Sequence, residues 1–161
     1  MQSPRLPEPL EAGTAVAAGS LGALPRELRL PAVPSQLVIA REHVERAALA
    51  VGFDARATHE IVFAVNEAVT NAIRHGRPDQ TGTIGLLIEH DANGLTVVVS
   101  DSGSFIPSVP DGSPMAEQGR GFVFMSSLMD HVDLVRCPEG TLVRLRKRRN
   151  GSSADGGDDG V

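Results

Sequence analysis

Apolar residues recur at helical spacing in three stretches of this chain and at alternate positions in five others. The clearest helical stretch is Glu60–Gly76 (EIVFAVNEAVTNAIRHG). At about 100° per residue, Ile61, Val62, Val65, Ala68, Val69, Ala72 and Ile73 gather on one broad side. Glu67, Asn71 and Arg74 gather on the opposite side, since residues three and four apart stack over one another. Gly76 suits the left-handed position that ends helices. Phe63 and Ala64 also fall on the polar side, which predicts that they line the floor of a pocket. A first helix is predicted over 36–51, with Leu37, Val38, Ala40, Val44, Ala47, Ala48 and Val51 at helical spacing. Ser35 is its expected N-cap and Gly52 its stop. Asp54 or Thr58 caps the helix that follows. A third helix opens at Gly119-Arg120-Gly121, with Phe122, Met125, Leu128 and Met129 on one side.

The alternating stretches are Glu27–Val33, Thr83–His90, Leu95–Ser100, His131–Cys137 and Thr141–Lys147. Asn93-Gly94 is a strong hairpin turn signal between the second and third, and Pro138–Gly140 turns between the last two. The first suits an edge strand, where Pro34 costs no ladder bond. Residues 105–118 hold three prolines and a glycine without period, so they read as a long loop of the functional or mobile kind. The order strand, two helices, two strands, helix, two strands indicates an α+β two-layer sandwich. About three helices cover one face of a mixed, mostly antiparallel sheet. Residues 1–25 read as a disordered leader, 26–148 as one folded domain and 149–161 as a disordered tail.

Composition narrows the setting. The chain has 161 residues, enough for one core. With no Trp or Tyr and five Phe, that core must be aliphatic. A formal net charge of -5 argues against a general nucleic-acid binder. The single cysteine, Cys137, excludes an internal disulfide and a cysteine-based zinc cage. No apolar run approaches the ~20 residues of a membrane span. A cytoplasmic protein is expected.

Three short motifs bear chemistry. Glu67 and Asn71, one helical turn apart, can hold a hydrated divalent cation and polarise a hydroxyl beside it; an ordinary surface helix would show the same pair. Asp101-Ser-Gly103 ends an apolar strand, where the carboxylate can accept from an exocyclic amine and the glycine admits a flat ring; a simple turn reads the same way. Gly119-Arg120-Gly121 before a helix lets phosphate oxygens approach free backbone N–H groups, with Arg120 adding charge; a hinge is the alternative.

In this order the three motifs resemble the GHKL ATPases. The fuller wording EAVTNAIRHG (Glu67–Gly76) and GRGFVFMSSLMDHVDL (Gly119–Leu134) is similar to the bacterial anti-sigma-factor serine kinases of the RsbW and SpoIIAB type. The resemblance spans about residues 28–147. It implies ATP and Mg²⁺ as cofactors, Glu67 as general base and Asn71 as the metal ligand. It implies further nucleotide contacts from His75, Asp101, Gly103, Gly119, Arg120, Gly121 and Thr141. Its implied partners are a STAS-type anti-anti-sigma protein, a sigma factor and a second copy of the chain. The chain departs from the family at Ser104, where a second glycine is usual, and at Ile106, where an acid is usual. A non-catalytic nucleotide-binding module, a histidine kinase domain and a ligand-free scaffold are the competing readings; the chain has no room for the helical dimerisation domain that the second would need.

Overall fold

The computed structural model describes residues 24–75, 82–101, 117–137 and 140–150. Five strands form one sheet in the order β1-β2-β3-β5-β4. They are β1 (Glu27–Pro31), β2 (Thr83–Asp91), β3 (Gly94–Asp101), β4 (His131–Cys137) and β5 (Gly140–Arg148). The sheet expected to be mostly antiparallel is antiparallel at all four pairings. Three helices, α1 (Leu37–Val51), α2 (Ala55–His75) and α3 (Glu117–Leu128), complete the α+β sandwich. Most of the predicted leader (1–23 of 1–25), most of the tail (151–161), residues 76–81 and 102–116, and 138–139 of the predicted last turn lie outside the described residues.

The period-two pattern of the strands sets which side is covered. Leu30, Ile84, Leu86, Ile88, Leu95, Val97, Val99, Val143 and Leu145 are all buried on the helical side. Helix α2 is the middle helix, touching α1 on one flank, α3 on the other and β2, β3 and β5 beneath. Its Ile61, Val65, Ala68, Val69 and Ala72 are buried, as their spacing predicts. Full burial of each valine or isoleucine side chain contributes about 1.5–3 kcal/mol. The core is aliphatic, with Phe53 its one aromatic among the described residues.

Helix ends follow local chemistry. Gly52 closes α1 at φ 100°, and its N–H donates to the Ala48 and Leu49 carbonyls. Asp54 caps α2: its Oδ1 accepts from the Ala57 N–H at 2.8 Å. Thr58, the other expected cap, is buried instead. Ser35 is not the N-cap of α1. Pro34 starts a 3₁₀ turn, Pro34–Gln36, so Ser35 is already inside a helical turn and Gln36 precedes α1 without a side-chain cap. Val38, expected on the apolar side of α1, is 46% exposed. Helix α3 begins at Glu117, so the glycine motif sits within its first turns rather than ahead of them.

Two packing constraints stand out. At Gly94 the β5 backbone comes so close that a Cβ would lie 2.1 Å from the Lys147 carbonyl oxygen and 3.0 Å from Arg148 Cα. His43 on α1 is buried, and its Nε2 has no partner among the described residues. Burial lowers the pKa of the imidazole below its ordinary 6.5; the nearby Pro25 carbonyl opposes this and Arg46 adds to it.

Gly94→Ala should therefore cost about 2–4 kcal/mol in a urea titration, because the obstacle is backbone and cannot swing away. For His43 the unfolded chain takes up a proton more readily than the fold does. Stability from this group is full above the ordinary value of 6.5 and is lost as pH falls below it. Urea midpoints taken at about pH 7.5 and about pH 5.5 should drop in the wild type and drop less in His43→Gln. Glu60 and Asp91, whose pKa values are lowered by Lys147 and Arg146 hydrogen bonds respectively, lose stability only below 4.5 and 3.8, so the windows separate.

Candidate active site

Between α2, α3 and the β3–β5 ladder lies a cleft. Ala68, Asn71, Ala72, Val99, Asp101, Met125 and Val143 line it. One wall is sheet, the other helix, and its polar groups are the Asn71 amide and the Asp101 carboxylate.

The sheet wall is fixed by register. Asp101 ends β3 and pairs with Thr141 of β5. The buried Thr141 donates its backbone N–H to Asp101 Oδ1 at 3.4 Å. A β-pairing therefore brings together two residues forty apart in sequence. The carboxylate is half-buried at the mouth of an apolar slot whose small side chains, Ala68 and Ala72, come from one ridge of α2.

The helical wall is set by a close approach. A Cβ on Gly121 would lie 2.5 Å from Glu67 Oε1, 3.1 Å from Asn71 Nδ2 and 3.4 Å from Glu67 Cδ. The first turns of α3 thus rest directly on the acid and the amide of α2. Glu67 and Asn71 are both half-buried, since the face that carries them is turned to α3 rather than to solvent. With Nδ2 toward Gly121, the Asn71 carbonyl oxygen is the atom a hard cation would take. No group of three His, Cys, Asp or Glu side chains that could hold a metal gathers among the described residues. An amide oxygen beside a carboxylate is a pair of hard oxygen donors, which fits a cation of the magnesium kind, one that takes one or two protein ligands and completes its shell with phosphate and water.

The remaining site residues divide as follows. Gly119 and Arg120 lie in the first turn of α3, with Arg120 exposed. His75 is the last residue of α2, and its side chain lies outside the described residues, as does Gly103. Phe63 and Ala64 are not among the residues that line this cleft. Ala64 is fully buried in the core, while Phe63 is 58% exposed with its ring tilted against His59 at 6.5 Å. Helical spacing alone suggests one covered side for α2, whereas the sheet, α1 and α3 all cover it. Ala64 falls under this cover and Phe63 just beyond it.

The family profile of the histidine kinase-like ATPase domain matches residues 30–147. The chain belongs to that family. Within it the curated relatives are of the anti-sigma kinase kind. The serine-protein kinase RsbW of Bacillus velezensis is 29% identical over 144 residues, covering 81% of this chain and 89% of the relative. RsbW of Listeria monocytogenes is 31% identical over 76% of this chain and 86% of its own length. An anti-sigma F factor of Thermoanaerobacter is 34% identical over 55% of this chain and 68% of its own. Among solved structures, the RsbU and RsbW domains of a Mycobacterium tuberculosis protein superpose with a TM-score of 0.57 at 19% identity. That match covers 76% of this chain and 32% of the tuberculosis chain, so this histidine kinase-like ATPase domain spans about a third of that larger polypeptide.

Sequence reasoning named the polar residues of the cleft in this ATPase domain and missed its apolar lining: Ala68, Ala72, Val99, Met125 and Val143. A signal for the first two was present in the i, i+4 spacing of alanines on the cleft side of α2, where larger residues would fill the slot. Met125 gave none, because its core spacing is equally that of an ordinary buried methionine.

Gly121→Ala tests the helical wall. The atoms in the way of the new methyl are the far ends of two side chains, so the fold should survive with a melting temperature within a few degrees of wild type. Glu67 and Asn71 must swing aside. Nucleotide affinity and any transfer activity should both fall, by about tenfold or more, in titration and phosphorylation assays.

Proposed function

We propose that this protein is an ATP- and Mg²⁺-dependent serine/threonine protein kinase with residues 26–148 as its catalytic unit. Its substrate in this reading is a small STAS-type anti-anti-sigma protein, and it also holds a sigma factor. One observation carries the reading. The Glu67 carboxylate and Asn71 amide meet the glycine turn of α3 at one end of a cleft, and Asp101 lies on that cleft's sheet wall. The partner class rests on the names of the relatives, serine-protein kinase RsbW and anti-sigma F factor.

In this reading adenine enters the slot between Ala68, Ala72, Met125 and Val143. Asp101 accepts a hydrogen bond from its exocyclic amine, and the Thr141 amide holds that carboxylate in place. The family resemblance adds His75 and Gly103 as nucleotide contacts. The phosphates run toward the start of α3, where Gly119 leaves room at the positive end of the helix dipole and Arg120 adds positive charge. Asn71 Oδ1 ligates Mg²⁺, which neutralises charge on the phosphates when bound. Glu67 orients the acceptor hydroxyl and takes its proton as the oxygen bonds to the γ-phosphorus and the bond to ADP breaks. Phosphoryl transfer asks mainly for positioning and charge neutralisation, which this set of groups can supply.

A second reading, a nucleotide-dependent binding module without transfer, is favoured by Ser104 and Ile106, which stand where the family usually has a glycine and an acid. The two readings separate in one experiment. Purified protein is incubated with radiolabelled Mg·ATP and candidate STAS proteins, and nucleotide binding is followed in parallel by thermal shift. Glu67→Ala should lower labelling by about 10²–10⁴-fold, the usual worth of a general base, while nucleotide still binds. Saturating Mg·ATP, at about 100 times its Kd, should stabilise both proteins by about 2.7 kcal/mol. Undiminished labelling in Glu67→Ala removes that residue as the base; binding without any labelling in the wild type favours the module.

A further inference from the structure

Alternation along β5 puts Thr141, Val143, Leu145 and Lys147 on the helical side of the sheet, so a lysine occupies the last of four core-facing positions. Its side chain is 15% exposed. The ammonium lies 2.6 Å from Glu60 Oε2 of α2 and 2.5 Å from the carbonyl oxygen of Leu128, the last residue of α3. One cation thus ties a strand, the middle helix and the C-terminal end of the third helix. The exit of α3 is latched to the same strand by two more bonds: the Asp130 N–H donates to the Arg146 carbonyl at 2.9 Å, and Asp130 Oδ2 accepts from the Arg148 N–H at 2.6 Å.

The position of this tie relative to the cleft is informative. Glu60 and Glu67 are seven residues apart on α2, and Leu128 and Gly121 are seven residues apart on α3. Each interval spans about 10 Å along its helix. Lys147 joins Glu60 to Leu128, and at the other end Glu67 meets Gly121. The two helices therefore run antiparallel and in step, with the ion pair pinning one end of the seam and the acid–glycine contact closing the other. Between them α2 presents the fully buried Ala64. The bare backbone of Gly121 lets the helices approach closely at the end beside Glu67.

We propose that Lys147 is a positioning residue. It sets the register of α3 on α2, and through the length of α3 it holds the Gly119–Gly121 turn against Glu67 and Asn71. This deepens the kinase reading and rests on it for the consequence at the nucleotide, but the placement of α3 can be measured without it. A pair so little exposed, with a charge-assisted bond to a helix-end carbonyl, is held more firmly than an exposed surface pair. Its loss should be felt at the far end of α3 as well as beside the lysine.

The experiment compares Lys147→Met, Glu60→Gln and a control, Ile88→Val, which trims the core under β2 away from α3. Native-state amide exchange is read at residues 121–124, whose N–H groups are the first in α3 with acceptors inside the helix. Binding of Mg²⁺ with a non-hydrolysable ATP analogue, AMPPNP, is measured by calorimetry. In both seam variants, exchange at 121–124 should speed up by at least about tenfold and the analogue's Kd should rise by about fivefold or more. The control, at equal loss of melting temperature, should show neither. Acceleration confined to residues 126–130, or an equal rise of Kd in the control, overturns the proposal, because Lys147 would then be a local cap or a source of bulk stability only. If Lys147→Met does not fold, Glu60→Gln decides, since it removes the ion pair and leaves the lysine. If the wild type does not bind the analogue, the kinase reading fails and the exchange measurement alone judges Lys147.

Discussion

The seam between α2 and α3 is the contact on which the rest of the molecule depends. A helix normally turns its polar side to water. Here α2 turns Glu60, Glu67 and Asn71 to a neighbouring helix, and the cost of partly burying Glu60 is offset by charged partners. Glu60 has Lys147 and, at 3.2 Å, Arg56. Glu67 and Asn71 have the bare backbone of Gly121 beside them. Gly121 brings the two helices close, beside the cleft that Ala68, Ala72 and Met125 line. The apolar side of α2 holds the fold, while its second covered side builds the site.

Much of this was legible in the sequence, and for identifiable reasons. The five strands and three helices follow from period two and period 3.6, which burial against a single sheet enforces. The stop at Gly52 and the Asn93-Gly94 turn follow from backbone chemistry that depends on few neighbours. The pairing of Asp101 with Thr141 was open only through resemblance, because strand register across forty residues leaves no local mark. The misreadings have separate causes. Val38 was assigned by assuming that every apolar residue near the stripe belongs to it, and Phe63 and Ala64 by assuming that apolar residues off the stripe must line a pocket. Ser35 was assigned by a cap preference that the proline before it overrides. Lys147 went unremarked because a lysine at the end of an alternating strand looks like the start of a solvated tail, and only the fold shows which parity faces the helices.

The charged groups of the fold divide into two populations. The Asp91–Arg146 pair, at 2.8 and 3.0 Å with a third bond from the same guanidinium to Thr96, braces the β2–β3 hairpin on the sheet face away from the helices. Being partly open to water, it contributes modestly. Lys147–Glu60 lies between the layers, where the dielectric is lower and a missing partner is felt more strongly. Equal distances therefore carry unequal weight, and burial is what distinguishes them.

The walls of the cleft have different mechanical origins, and this has a consequence of its own. Asp101 is held by a ladder of eight paired residues on β3 and β5, so it shifts only if the whole ladder slips. Gly121 is carried by a twelve-residue rod fastened at its far end. The first wall behaves as a template and the second as a cantilever. Sequence drift on the template alters which molecule the slot accepts; drift at the root of the cantilever alters how much of the time the slot is shaped to accept anything. Selectivity and responsiveness can then evolve separately in this fold, through substitutions that never touch one another.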